Sequence, residues 1–124
     1  MIAYERTTLA NGLTVAVNRD RASKLAAVNI LYKVGARNEN PARTGFAHLF
    51  EHLMFRGTRE VPNFDLPVQM ASGDNNAFTN NDYTDFYITL PKDNLDTALW
   101  HESDRMEGRE LTPDKHRDQQ TRVI

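Results

Sequence analysis

The stretch Thr44-Gly45-Phe46-Ala47-His48-Leu49-Phe50-Glu51-His52-Leu53-Met54-Phe55 constrains the fold more than any other part of the chain. Its apolar residues recur at spacings of three and four, the period of a helix with an apolar stripe. We therefore predict a helix here, with Gly57 as a left-handed C-terminal cap. Because apolar residues surround its three polar groups, the helix is apolar almost all round, and we expect it to be buried against a sheet.

Three polar residues on this helix form a candidate metal site. His48 and His52 are four residues apart, so their imidazoles project from one helical face and can hold one ion. Glu51 is near enough to reach a water on that ion without ligating it. With zinc, this set provides a Lewis acid and a general base.

The alternative is that the two histidines are ordinary surface residues. The apolar neighbours favour the metal site, because an unpaired buried polar group costs about 1–3 kcal/mol. A metal and its water would give all three side chains partners. Since the chain has no cysteine, its ligands must be nitrogen and oxygen.

The residues before this helix are predicted to form strands. Asn11-Gly12 favours a tight hairpin turn, and apolar residues alternate with polar or small ones over residues 13–17. A second alternation over residues 26–34 places Ala26, Val28, Ile30, Tyr32 and Val34 on one face. We predict that residues 13–17 and 26–34 pair as antiparallel strands.

The residues after the helix are predicted to form further helices and a further strand. We expect a short helix begun by Asp65, a turn-rich stretch over residues 72–76 and a strand over residues 84–90. A helix over residues 94–106 would bury a stripe of Leu95, Ala98, Leu99 and Met106. A last helix begins at Thr112-Pro113 and reaches Ile124 without a C-cap, which suggests a chain cut inside an element.

Length and composition limit the classes of protein. A chain of 124 residues with 40% apolar and 26% charged residues fits one soluble globular unit, or a piece of one. The formal charge of -2 provides no positive field for nucleic acid. We expect no membrane span and see no export signal, so the compartment stays open between cytoplasm and periplasm or secretion.

The order H-x-x-E-H reverses the thermolysin-type motif and marks the inverzincins. Within them, residues 48–58 resemble the insulinase and pitrilysin family, the M16 peptidases. Further stretches resemble family landmarks in the family's order: Leu9-Ala10-Asn11-Gly12-Leu13, Val34-Gly35-Ala36-Arg37-Asn38-Glu39, Asn76-Ala77-Phe78-Thr79 and Glu102-Ser103-Asp104-Arg105-Met106.

The resemblance implies an α+β fold with helices packed on a mainly antiparallel sheet. Residues 1–124 would be a single partial domain, incomplete at its C-terminus, from the front of the active half. A complementary half-domain, in the same or another chain, would close with it around a peptide. His48 and His52 would ligate zinc, and Glu51 would be the general base. An edge strand would bind extended substrate through Asn76, Ala77, Phe78 and Thr79; without the resemblance, an ordinary polar turn is favoured there.

Some positions depart from the family pattern. Its third ligand, a glutamate, would fall just past Ile124. Glu102 could substitute for it, but a place in the helix–sheet packing or a salt bridge is favoured. Gln120 stands where many relatives have glutamate, which puts a secondary acidic role in doubt.

The other histidines and several arginines are not assigned to the site. We expect His101 and His116 to be exposed or semi-exposed helix residues without function. Arg37, Arg43 and Arg56 could anchor carboxylates or substrate, but solvated surface charge is the default for each.

The functional prediction is a zinc endopeptidase, the isolated chain itself being inactive. The alternative is a non-catalytic peptide-binding or assembly subunit of the same fold. A weaker alternative is a structural unit with no ligand.

Overall fold

Two antiparallel sheets and three helices make up residues 1–107, the part of the chain that the computed structural model describes. The elements are β1 (Glu5–Thr8), β2 (Thr14–Val17), β3 (Leu25–Tyr32), α1 (Phe46–Met54), α2 (Asp65–Met70), β4 (Asp74–Thr79), β5 (Thr84–Pro91) and α3 (Leu95–Glu107), with short 3₁₀ turns at Ala36–Asn38 and Lys92–Asn94. The predicted α+β class is confirmed. The predicted last helix, with His116 and Gln120, lies outside the described residues.

The first sheet is the predicted hairpin. β1 and β2 pair antiparallel from Glu5 opposite Val17 to Thr8 opposite Thr14. The turn between them contains Gly12 at a φ of 89°, a left-handed conformation that glycine adopts without a steric penalty.

The predicted pairing of residues 13–17 with residues 26–34 is wrong. β3 pairs instead with β5 over eight residues, from Leu25 opposite Pro91 to Tyr32 opposite Thr84. β5 offers β3 a long partner whose core-facing residues, Phe86, Ile88 and Leu90, are almost fully buried. The four-residue β2 closes locally on β1 instead.

The second sheet has the strand order β3-β5-β4, and the helices pack on one of its faces. Alternate residues of β3 face the helices as predicted, from Ala26 to Tyr32, whereas Val34 lies beyond the strand and is exposed. The centre of the core consists of Val68, Ile88, Leu90 and Ala98.

Two local predictions change in detail. Asn63, rather than Asp65, supplies the capping side chain of α2, because its Oδ1 accepts hydrogen bonds from the amides of Asp65 and Leu66 at 3.1 and 3.3 Å. Gly57 has the expected left-handed φ of 81°, but α1 ends earlier, at a right-handed cap residue, Phe55.

The buried face of α3 differs from the predicted stripe. Leu95, Leu99 and Met106 are exposed, and the helix buries Ala98, His101, Glu102 and Arg105. These four positions have helical spacing, but three of them carry polar groups and gave no apolar signal.

The prediction that His101 is exposed is therefore wrong. Its side chain is buried, its ring lies 3.9 Å from the ring of Phe64 between centroids, and its Nε2 lies 2.6 Å from the carbonyl oxygen of Phe64. Desolvation lowers the pKa of His101, so the neutral ring is favoured, with Nε2 donating to that carbonyl.

Glu102 and Arg105 form a buried ion pair on the same face of α3. Arg105 Nη2 lies 3.4 Å from Glu102 Oε1, in agreement with the structural role favoured for Glu102. The guanidinium carbon lies 3.8 Å from the ring centroid of Phe64, 4.5 Å from that of Phe86 and 5.2 Å from that of Phe55. Burial raises the pKa of Glu102 and lowers the pKa of Arg105 to about 10, so Arg105 stays cationic at neutral pH.

Candidate metal centre

Helix α1 carries the candidate site on its more exposed side. Ala47, Leu49 and Leu53 are buried, whereas Phe46 and Phe50 are each 44% exposed. The expected burial against the sheet is therefore confirmed for one face of the helix only. The physical reason is that α1 packs on β4 and β5 with one face only.

The two imidazoles of the motif converge. His48 is exposed and His52 half-buried, and their Nε2 atoms lie 3.0 Å apart, so that one ring donates a hydrogen bond to the other. Two nitrogens bound at about 2.0–2.1 Å to one tetrahedral zinc are about 3.3 Å apart. The two Nε2 atoms would therefore need to move apart by only a few tenths of an ångström to bind one ion.

Glu51 is oriented toward strand β4. Its Oε2 accepts a hydrogen bond of 2.5 Å from the hydroxyl of Thr79. Within residues 1–107, no group of three histidine, cysteine or acidic side chains is arranged to hold a metal ion. Glu51 therefore does not act as a third ligand in this arrangement, and Glu102 belongs to the buried pair on α3.

A cap that was not predicted fixes the start of α1. The residue before the helix, Gly45, has no side chain to cap it. Glu39 performs this task, because its two carboxylate oxygens accept hydrogen bonds from the amides of Gly45 and Ala47, both at 2.7 Å. An anion at a helix N-terminus also interacts favourably with the helix dipole. Its contribution was not visible in the sequence because it comes from a loop rather than the cap position.

The segment resembling a substrate strand is a strand. Residues 76–79 lie in β4 and pair with β5, with Ala77 opposite Phe86 and Thr79 opposite Thr84. The alternative of a polar turn is wrong here, and the turn predicted over residues 72–76 already enters β4 at Asp74. In the described strand order β4 stands at one edge of its sheet. A cavity of about 550 Å³ opens beside the contact between β4 and α1, and its lining includes His48, Glu51, Ala77, Phe78 and Thr79.

The three arginines considered as anchors lie in different surroundings. Arg37 is exposed and forms an ion pair of 3.0 Å with exposed Asp82. Arg43 is exposed and Arg56 half-buried. The exposure of Arg37 and Arg43 agrees with the default of solvated charge, and Arg37 in addition holds the carboxylate of Asp82.

The H-x-x-E-H order on helix α1 is the motif of the inverzincin class of metallopeptidases. Within that class the chain belongs to one family: the sequence profile described as Insulinase (Peptidase family M16) matches residues 14–123.

Named relatives agree with this family. The chain is 39% identical over 99 residues to a Helicobacter pylori zinc protease, PqqE, covering 77% of this chain and 22% of that protein. It is 35% identical over 95 residues to a probable β subunit of the mitochondrial-processing peptidase of Arabidopsis thaliana, covering 75% and 18%. Human insulin-degrading enzyme is 29% identical over 99 residues, covering 77% and 10%.

Solved structures show the same fold. A protease from Helicobacter pylori superposes with a TM-score of 0.92 at 33% identity, covering 98% of this chain and 30% of that chain. Pitrilysin superposes with a TM-score of 0.84 at 24% identity, covering 94% and 13%. The chain spans only 22%, 18% and 10% of the lengths of the zinc protease, the processing-peptidase subunit and insulin-degrading enzyme. Among residues 1–107, no helix has the length and apolar character needed to cross a bilayer.

Proposed function

We propose that this chain is the zinc-binding front portion of an M16 endopeptidase that hydrolyses extended peptides. The observation that carries the proposal is the convergence of His48 and His52, whose Nε2 atoms lie 3.0 Å apart with Glu51 on the same helix. Relatives named zinc protease and insulin-degrading enzyme support both the metal and the reaction class.

His48 and His52 are the proposed protein ligands of the zinc ion. The donor set fits, since imidazole nitrogen is a common zinc ligand and the two Nε2 atoms already converge. Zinc held there would polarise the scissile carbonyl and acidify the attacking water. A remaining ligand is proposed to come from outside the described residues, where the family pattern expects a glutamate.

Glu51 is the proposed general base. Its carboxylate takes the proton from the attacking water and then delivers it to the nitrogen of the leaving amine. The half-buried carboxylate borders the cavity beside α1 and β4, where a peptide bond next to the edge strand would lie. One side chain can therefore perform both proton transfers without leaving its place.

The proposed substrate is a peptide in extended conformation. Residues 76–79 would pair with it by β-strand addition, in which backbone hydrogen bonds provide affinity with little dependence on sequence. A complementary half-domain would cover the peptide from the other side. Residues 1–124 would then be one partial domain of the active half.

Metal removal tests the proposal. Cleavage of a generic fluorogenic peptide by the full-length protein should disappear after treatment with a chelator and return when zinc is added. Magnesium is the control and should not restore cleavage, because it prefers oxygen ligands in octahedral geometry. Zinc binding without cleavage would contradict the peptidase and favour the non-catalytic subunit. Absence of zinc binding would contradict the site itself.

A further inference from the structure

The hydroxyl of Thr79 connects the edge strand to the carboxylate of Glu51. We propose that Thr79 is a positioning residue for Glu51, so that the strand expected to bind substrate also orients the base. This inference rests on the proposed peptidase function and deepens it.

The contact itself is direct and specific. Thr79 Oγ1 lies 2.5 Å from Glu51 Oε2, and both side chains are half-buried. An ionised carboxylate has no proton to donate, so the threonine hydroxyl must be the donor. The bond engages one carboxylate oxygen and restricts rotation of a flexible side chain. Oε1 is left for the water and the leaving amine.

The hydroxyl of Thr79 is itself held in place. Thr79 is the last residue of β4 and pairs with Thr84 on β5, and the two hydroxyl oxygens lie 3.3 Å apart. Thr84 Oγ1 also lies 3.0 Å from the carbonyl oxygen of Val34 and can donate to it. Because Thr79 has only one hydroxyl proton, which goes to Glu51, any bond between the two threonines uses the proton of Thr84. Thr84 likewise has one hydroxyl proton, so it can donate to Thr79 or to Val34 but not to both at once. The base is thus tied through Thr79 to the end of β4, which pairs there with β5.

Backbone contacts hold β4 and α1 together independently of this hydroxyl. The amides of Ala36 and Arg37 donate to the carbonyls of Asn80 and Asn81, both at 3.0 Å, which fastens the loop after β3 to the turn after β4. That loop also contains Glu39, which caps α1. Removal of the Thr79 hydroxyl therefore leaves the strand and the helix in place and frees only the carboxylate.

The arrangement couples substrate binding to the orientation of the base. A peptide that adds to β4 would contact the strand whose last side chain holds Glu51. A general base must lie within hydrogen-bond reach of the proton that it takes, so small errors in its position lower the rate of reaction. The expected effect of losing the hydroxyl is on kcat rather than on KM.

Two substitutions in the full-length protein test this role. Thr79→Val preserves shape but removes the donor, and Thr79→Ser preserves the donor. We expect Thr79→Val to lower kcat by about 10-fold, with KM and zinc content changed less than about 2-fold, and Thr79→Ser to recover most of kcat. Thr89→Val is the matched control, because Thr89 is also a half-buried threonine, on β5. Its neighbours Ile88 and Leu90 face the core, so the side chain of Thr89 lies on the opposite face of the sheet, away from the site.

Other results would overturn the positioning role. The role would be contradicted if kcat were unchanged in Thr79→Val, or if Thr79→Ser lowered kcat as much as Thr79→Val does. The proposed function would survive either result as long as Glu51→Gln still abolishes cleavage. Crystal structures give a readout independent of activity. Glu51 should leave its place beside residue 79 in Thr79→Val and keep it in Thr79→Ser; an unmoved carboxylate in Thr79→Val would contradict the inference even in a protein without peptidase activity.

Discussion

Replacement of Glu51 by glutamine should lower peptide cleavage by about 100-fold to 10,000-fold, the range that general acid–base catalysis contributes. Glutamine has nearly the shape of glutamate and can keep the contact with Thr79, but it cannot accept the proton of the attacking water. The zinc content of the full-length protein should stay unchanged, because Glu51 is not a proposed ligand. Both quantities can be measured on one preparation, by peptide cleavage and by metal analysis.

Glu60→Gln is the matched control for this experiment. Glu60 is an exposed acid in the loop after α1, so the same chemical change should leave both cleavage and zinc content as they are. Full activity in Glu51→Gln would refute the assigned base. Loss of zinc in that variant would instead make Glu51 a ligand.

Replacement of Arg105 by methionine should destabilise the domain by about 3–5 kcal/mol, because it leaves Glu102 buried without its countercharge. The side chains of Arg105 and Glu102 are 1% and 3% exposed, and neither Glu102 oxygen has a hydrogen bond within the described residues. The substitution also removes the contacts of the guanidinium with the rings of Phe55, Phe64 and Phe86. Chemical denaturation of the full-length protein, followed in the transition of this domain, measures the loss.

A second substitution separates burial of charge from loss of packing. The double variant Glu102→Leu, Arg105→Met removes both charges, and it should recover most of the lost stability because apolar pairs often replace buried ion pairs at little cost. Arg59→Met, the same change at an exposed arginine in the loop after α1, is the control and should change stability by less than about 0.5 kcal/mol. A double variant no more stable than Arg105→Met would show that packing, not uncompensated charge, dominates.

The parts of the fold that depend on nearby residues were predictable. The Asn11-Gly12 turn and helix α1 follow from preferences within a few residues, and both are present. The pairing of β3 was not predictable in this way. Its partner, β5, begins more than fifty residues later, and the choice depends on the match between two apolar faces rather than on local pattern.

Helix α3 shows why its buried face could not be predicted. Apolar periodicity favoured Leu95, Leu99 and Met106, yet the residues in the core are His101, Glu102 and Arg105. Burial of such groups is tolerable only where partners exist, here the carbonyl and ring of Phe64 and the ring of Phe86. These partners come from distant parts of the chain and carry no signal in the helix itself.

In the candidate site, too, only the features that depend on nearby residues were predictable. Convergence of His48 and His52 was predictable because helical geometry puts residues four apart on one face. The hydrogen bond between Glu51 and Thr79 joins residues 28 apart, and the cap from Glu39 depends on the path of a loop. Sequence reasoning gave Thr79 only a substrate-binding role and gave Glu39 none.

The most direct test of the proposed metal site is anomalous X-ray diffraction at the zinc edge from crystals of the full-length protein. We expect one peak at about 2.0–2.1 Å from Nε2 of both His48 and His52. A zinc-loaded crystal with the peak elsewhere, or with these two rings still hydrogen-bonded to each other, would contradict it.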